Sequence, residues 1–308
     1  MSGFGILCSG QGSQHKAMFN ILEDDRDAQG VLQSASSFFG CHPAEYLDCL
    51  PEEGLFRNLQ AQLLIATLQM AIWASLRRML PAPKVFAGYS LGEVITYGCA
   101  GSLSVEKMLG LIKQRAVLMD AAAPQHAGML AVRGLTRQEI DQLCEATGVE
   151  VAIINSPEHF ILGGPLSAVL RCADHPLANR VTKSKRIPVS VPSHTSWMTA
   201  AGKSFANELE QAGLTDPLCP VLAGINGTLV RRKNDAIPAL SQQIYTAIDW
   251  MACMQTSSEM GCSIMLELGP GNALKGLMQD HPGCMVVRSV EDFRSLQGVA
   301  DWMHKQLC

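Results

Sequence analysis

The feature that most narrows the possible folds of this 308-residue chain is a serine between glycines, Gly88-Tyr89-Ser90-Leu91-Gly92, directly after the apolar run Val85 to Gly88. A short apolar run stopped by glycine reads as a buried strand, and the residues from Leu91 onward read as a helix. Strand, sharp turn and helix in succession are the parts of a mainly parallel α/β sheet with covering helices. Glycine on both sides of the serine is what so tight a turn needs sterically, and the turn leaves the hydroxyl exposed. It also puts the Leu91 N–H at a helix N-terminus, where a developing oxyanion would be stabilised. Taken alone, the same residues fit a helix N-cap serine between two packing glycines. The strand before and the helix after favour a nucleophile.

The rest of the chain alternates in the same way. Gly5 to Cys8 reads as a strand feeding the loop Ser9-Gly10-Gln11-Gly12-Ser13-Gln14, and Ala61 to Leu80 as a buried helix ended by Pro81 and Pro83. From Gly128 the units shorten. A strand from Gly128 to Arg133 precedes a helix from Thr136 to Ala146, with Thr136 and Glu139 spaced as a capping box. Strands Val149 to Ile154 and Phe160 to Gly163 flank the turn Asn155-Ser156-Pro157-Glu158; a helix Leu166 to Leu177 and an extended segment Val181 to Val191 follow. The order βαββαβ is that of a ferredoxin-like module. The domains expected are therefore a small insert, 127–191, and a discontinuous large α/β domain, 1–126 with 192–308. The latter resumes with a strand, Ile264 to Leu268, ahead of Gly269-Pro270-Gly271.

With 47% hydrophobic and 17% charged residues, the chain can bury a large core. A formal net charge of −4 gives no global reason to bind nucleic acid or an anionic membrane. The first residues carry no basic region ahead of their apolar run, and no uninterrupted apolar stretch reaches the roughly 18–20 residues that span a bilayer. Neither export nor membrane insertion is expected. The 11 cysteines contain no CxxC pair, which argues against a disulfide framework or a zinc site and fits a reducing cytoplasm.

A serine hydroxyl needs a base to take its proton, and the chain has 8 histidines. His15, His42, His159, His281 and His304 lie in polar or turn-like stretches and read as surface residues; His126 and His175 flank prolines at loops. His194, in Val191-Pro192-Ser193-His194-Thr195-Ser196-Trp197-Met198, falls where the insert returns to the large domain. Spacing alone leaves it either the base or a histidine at a helix start.

Taken together, Gly10-Gln11-Gly12-Ser13-Gln14, Gly88-Tyr89-Ser90-Leu91-Gly92-Glu93, Gln114-Arg115, Pro192-Ser193-His194 with Met198, and Leu268-Gly269-Pro270-Gly271 resemble the malonyl-CoA:acyl-carrier-protein transacylase family, in the family's order and over almost the whole chain. The resemblance implies a hydrolase-like large domain with the site in the cleft beside a ferredoxin-like insert. It implies a Ser90–His194 dyad, the imidazole oriented by a backbone carbonyl near Ala247 to Asp249. Gln11 and Leu91 would offer N–H groups to the oxyanion, and Arg115 would grip the substrate's free carboxylate. Malonyl-CoA is then the substrate, no cofactor is held permanently, and an acyl carrier protein is the acceptor. A guanidinium suits that grip, since it holds a carboxylate bidentately in one orientation. Without the resemblance, Arg115 reads as a surface arginine on a helix from Glu106 to Asp120.

The family usually has histidine before the nucleophile, and here it is Tyr89. That departure and the compact segment Met18 to Asp27 resemble the transacylase subunit of bacterial malonate decarboxylase, whose carrier subunit bears a CoA-derived arm and works beside further subunits. Arg180, Lys183, Lys185 and Arg186 concentrate positive charge just before His194, suiting an acidic carrier or CoA phosphates; a solvated strand face fits them too. Two other readings stand against transfer. One is an esterase or thioesterase with Asp174 as its acid, and the other a non-catalytic subunit that binds acyl-CoA.

Overall fold

The computed structural model describes residues 3–278 and 285–307. Its strands are, in chain order, β1 (Gly3–Cys8), β2 (Val85–Gly88), β3 (Ala127–Arg133), β4 (Glu150–Ser156), β5 (His159–Pro165), β6 (Lys183–Ile187), β7 (Val221–Leu222), β8 (Leu229–Val230), β9 (Ile248–Asp249), β10 (Cys262–Glu267) and β11 (Val286–Ser289).

The large sheet runs β11-β10-β1-β2-β7-β8, parallel throughout except for the β7–β8 pair. Buried on both faces, β1 and β2 read as continuous apolar runs, as central parallel strands do. The Asn58–Met79 helix packs in the main core beside this sheet. It is the helix among the described residues long and apolar enough to cross a membrane, and 83% of its most apolar window is buried inside the protein. Burial in a core, rather than lipid, is what its composition answers to.

The second sheet runs β6-β3-β5-β4-β9. Its first four strands are antiparallel, in the order expected of a ferredoxin-like βαββαβ unit. The Arg137–Thr147 helix carries the expected capping box at Thr136 and Glu139, and with the Leu166–Asp174 helix it covers one face. The latter is shorter than its periodicity suggested, because His175 precedes Pro176 and is driven to an extended backbone.

Four strands were not expected, β7, β8, β9 and β11, and β9 bears most on the site. β9, from beyond the insert, pairs parallel with β4, and Asp249 N–H donates to Gly224 O at 2.8 Å. The second sheet is thereby completed by a strand from later in the chain, and its uncovered face, including Met129, Ile153, Ile161 and Ile187, packs with Leu7, Val85 and Ala87 of the first.

Candidate active site

Ser90 stands at φ 57° and ψ −113°, between β2 and the Leu91–Cys99 helix. Non-glycine residues seldom adopt this backbone, and its surroundings must hold it there. Neither flanking glycine has a positive φ; space is what they leave. A Cβ on Gly88 would lie 2.1 Å from Glu93 N, and one on Gly92 would lie 1.9 Å from Cys8 O. The helix can thus press its first turn against the ends of β1 and β2. Gly92→Ala should cost about 3 kcal/mol or more of stability, because the clash is with backbone and cannot be relieved by a rotamer. Thermal unfolding checks this, and an unchanged melting temperature would contradict the packing. As N-cap residue, Ser90 makes no side-chain capping bond. Its hydroxyl is turned to His194 instead.

His194 is also at positive φ, 64°, and is 1% exposed. Its Nε2 lies 2.7 Å from Ser90 Oγ, and its Nδ1 lies 2.5 Å from Gln243 O. With Nδ1–H donating to that carbonyl, Nε2 is left as the acceptor facing the serine. The orienting carbonyl was expected near Ala247 to Asp249 and is Gln243 instead. The reason is local: Gln243 ends the Lys233–Gln243 helix, and the last carbonyls of a helix have no intrahelical partner. The next one, Ile244 O, accepts the His194 N–H at 2.8 Å. Asp249 instead caps the Trp250–Glu259 helix, accepting from Ala252 N–H at 2.9 Å. Burial pushes the imidazole pKa down to about 3, against the Gln243 bond, with the Arg115 charge lowering it further.

The other histidines are placed differently. His15 meets Glu291 at 2.8 Å; His42 and His175 accept backbone N–H groups at helix starts. His159, expected on the surface, is buried in β5 beside Asn155, because the strand begins one residue earlier than its apolar run. His281 lies outside the described residues.

Gln11 and Leu91 flank the serine. A Cβ on Gly10 would lie 2.8 Å from Tyr89 O, so the Gln11 loop abuts the elbow. The loop is fastened at both ends. Gly269 O accepts from the Ser9 hydroxyl and from Gln69 Nε2, the latter at 2.6 Å. Gln14 bridges Gly12 N–H at 2.7 Å and Leu55 O at 2.8 Å. Leu91 opens its helix, where N–H groups lack intrahelical acceptors. Gln11, Ser90 and His194 line one cavity of about 60 Å³ with apolar residues of the small sheet, Met129, Ile161 and Ile187 among them. A larger groove, about 450 Å³, lies beside β6 and holds none of these groups.

Arg115 is no surface residue. It lies in the Val105–Ala122 helix, 1% exposed and off the cavity wall, where its charge still acts on His194 and Glu93. Its Nη1 donates to Gln62 Oε1 at 2.8 Å, and Gln62 is fixed by Asn58 Oδ1 at 2.7 Å. Its Nε and Nη2 have no partner among the described residues. Burial lowers its pKa to about 10 and Glu93 opposes the shift, so the group stays cationic. A buried cation with two idle donors is costly unless an anion comes to meet it. Gln62, Gln243 and Glu93 were not singled out as site residues by sequence reasoning. The signal for Gln62 was an amide inside a largely apolar helix, a signal it shares with Gln69.

Tyr89 donates its hydroxyl to Asn155 Oδ1 at 3.0 Å and packs edge-on against Trp250, joining the elbow to the small sheet. Asp174 is exposed at the end of its helix. Arg180 is ion-paired with Glu139, while Lys183, Lys185 and Arg186 are exposed on the edge strand β6. Among the described residues, no group of three or more His, Cys, Asp or Glu could hold a metal ion.

Comparison with known proteins gives the same frame. Residues 6–254 match the acyl transferase domain family. A malonyl CoA-acyl carrier protein transacylase of Escherichia coli K12 is 30% identical over 90% of this chain and 92% of its own length. The solved malonyl CoA-acyl carrier protein transacylase of Coxiella burnetii superposes with a TM-score of 0.92 at 27% identity, covering 99% of this chain and 98% of that one. A malonyl-transacylase solved in complex with a type II PKS acyl-carrier protein also gives 0.92, at 28% identity, over 97% of this chain and 99% of that one. The chain belongs to the acyl transferase domain family, and within it to the malonyl-CoA:acyl-carrier-protein transacylases.

Proposed function

We propose that this enzyme moves a malonyl group from malonyl-CoA to the thiol of an acyl carrier protein through an ester on Ser90. The observation that carries the reading is the 2.7 Å contact between Ser90 Oγ and His194 Nε2 in one cavity, with a buried guanidinium acting on the same imidazole. Ser90 Oγ attacks the thioester carbonyl while its proton passes to His194 Nε2, and the Gln11 and Leu91 N–H groups receive the oxyanion. The C–S bond breaks, and the CoA thiolate takes the proton from the imidazolium. The carrier thiol then repeats the steps in reverse order, leaving Ser90 free. Arg115 Nε and Nη2 hold the malonyl carboxylate, and the apolar wall from the small sheet suits the arm of the thioester. The division into a 1–126 plus 192–308 unit and a 127–191 insert belongs to this reading, since each contributes one side of the cavity.

The acceptor we infer is acidic and meets Lys183, Lys185 and Arg186, with Lys185 on the same face of the small sheet as Ile187 and hence nearer the cavity. The finer reading is malonate decarboxylation, with a carrier bearing a CoA-derived arm and further subunits. Tyr89, the departure from the family pattern that the resemblance implies, is tied to Asn155 and supports it. The free thiols among the described residues support a reducing, cytoplasmic setting.

Incubation with malonyl-CoA followed by intact-mass measurement and peptide mapping tests the chemistry. One malonyl adduct on Ser90, discharged by a carrier thiol, is expected. Free malonate without transfer would mean a thioesterase, and no adduct at all would mean a binding subunit; either outcome ends the proposal. Offering carriers with and without the extended arm decides between decarboxylation and the synthesis of fatty acids or polyketides.

A further inference from the structure

We propose that Glu93 is a positioning residue that acts through Gln243 to keep the nucleophile and the base in register. Gln243 touches both. Its backbone oxygen orients His194, and its side-chain Nε2 donates to Ser90 O at 2.8 Å. A glutamine amide can rotate, so something must hold this one. Glu93 does so, accepting the other amide proton at Oε2 over 2.7 Å, while the same oxygen accepts Gly224 N–H at 2.9 Å. Position 224 leaves room for this approach, since a Cβ there would lie 2.5 Å from Oε2. Glu93 and Gln243 are both 0% exposed.

The result is a closed circuit. The Ser90 main chain, the Gln243 amide, the Gln243 carbonyl and the His194 ring return to the Ser90 hydroxyl, with Glu93 as the anchor. Glu93 lies in the first turn of the helix that Ser90 opens, where a carboxylate is favoured by the aligned N–H groups. The Ser90 and His194 backbones held by this circuit are both at positive φ, a conformation that persists only when its surroundings fix it. Burial pushes the Glu93 carboxyl up to about 8, with Arg115 the nearby cation that opposes this. Glu93 transfers no proton and touches no substrate. Its effect is on the distance and direction between hydroxyl and imidazole.

The inference rests on the reading of Ser90 and His194 as nucleophile and base. It is tested by the single-turnover rate of CoA release from malonyl-CoA, which needs no carrier, in E93M, Q243M, the double variant and E93Q. E93M and Q243M should each slow the maximal rate roughly 10- to 100-fold with the half-saturating malonyl-CoA concentration within about twofold of wild type. The double variant should be no slower than the slower single one, as two links of one chain. E93Q keeps an acceptor where Oε2 sits and should recover most of the loss. An E93M protein as fast as wild type, a loss confined to half-saturation, or single effects that multiply in the double variant overturns the proposal. If E93M does not fold, Q243M and E93Q carry the comparison, and equal rates in Q243M and wild type overturn it. A wild-type protein that releases no CoA overturns the underlying reading instead.

Discussion

His194→Ala should lower the rate of malonyl-enzyme formation on the order of 10³-fold while leaving malonyl-CoA binding nearly unchanged, as measured by single-turnover CoA release. The serine keeps its elbow, its loop and its N–H neighbours in this variant. What it loses is the acceptor for its proton. The wild-type pH profile should carry the signature of the same group. Burial depresses the imidazole pKa to about 3, so the base is already neutral across the physiological range. The acylation rate should stay flat as the pH falls through the usual histidine range near 6.5, declining only toward the depressed value. A profile that halves near pH 6.5 would show an ordinary, solvated histidine and contradict the burial. Stability follows with a definite sign. The unfolded chain binds a proton at about pH 6.5 and the folded one only near 3, so this contribution is complete above 6.5 and is lost as pH falls between the two values. His194→Ala should remove that part of the acid sensitivity, which unfolding midpoints from pH 7 down to about 4 would show.

The parts of this fold that were legible in the sequence are those decided by neighbours along the chain. Val85 to Gly88 had to be a strand, and the glycines beside Ser90 had to face backbone, because no other residue fits within about 2 Å of it. The alternation of strands and helices from β3 to β6 showed itself through a capping box and a short turn between two strands. What stayed hidden depends on where elements stop in space. The orienting carbonyl belongs to Gln243 because the helix ends there, and nothing in the residues from 244 to 249 announces that end. β9 is two residues long, too short for any periodicity. Arg115 sits in a helix whose apolar residues do not mark one clear face, so its burial followed only from packing against Gln62. The same holds for Glu93, a charged residue that the pattern alone would place in water.

Arg115→Met should reduce malonyl transfer on the order of 10²-fold and leave acetyl transfer equal to, or faster than, that of the wild type. The magnitude comes from the two idle donors. A carboxylate taken by Nε and Nη2 gains two charge-assisted hydrogen bonds, each worth roughly 1.5–3 kcal/mol, and losing about 3 kcal/mol costs about 10²-fold in rate. Methionine fills much of the same volume without charge, so cavity collapse contributes little. A second effect has the opposite sign. The guanidinium lowers the His194 pKa, and a bound carboxylate would cancel part of that field, making the base stronger when the acyl group carries a negative end. An acetyl group brings no such charge and meets a weakened base. Removing the cation should therefore raise His194 basicity for every acyl group alike, which is why acetyl transfer is expected to hold or improve. Competition between malonyl-CoA and acetyl-CoA for Ser90, read by intact mass, measures the ratio directly. A variant that keeps the wild-type preference for malonyl would place the carboxylate's partner elsewhere and leave the buried guanidinium without a role in selection.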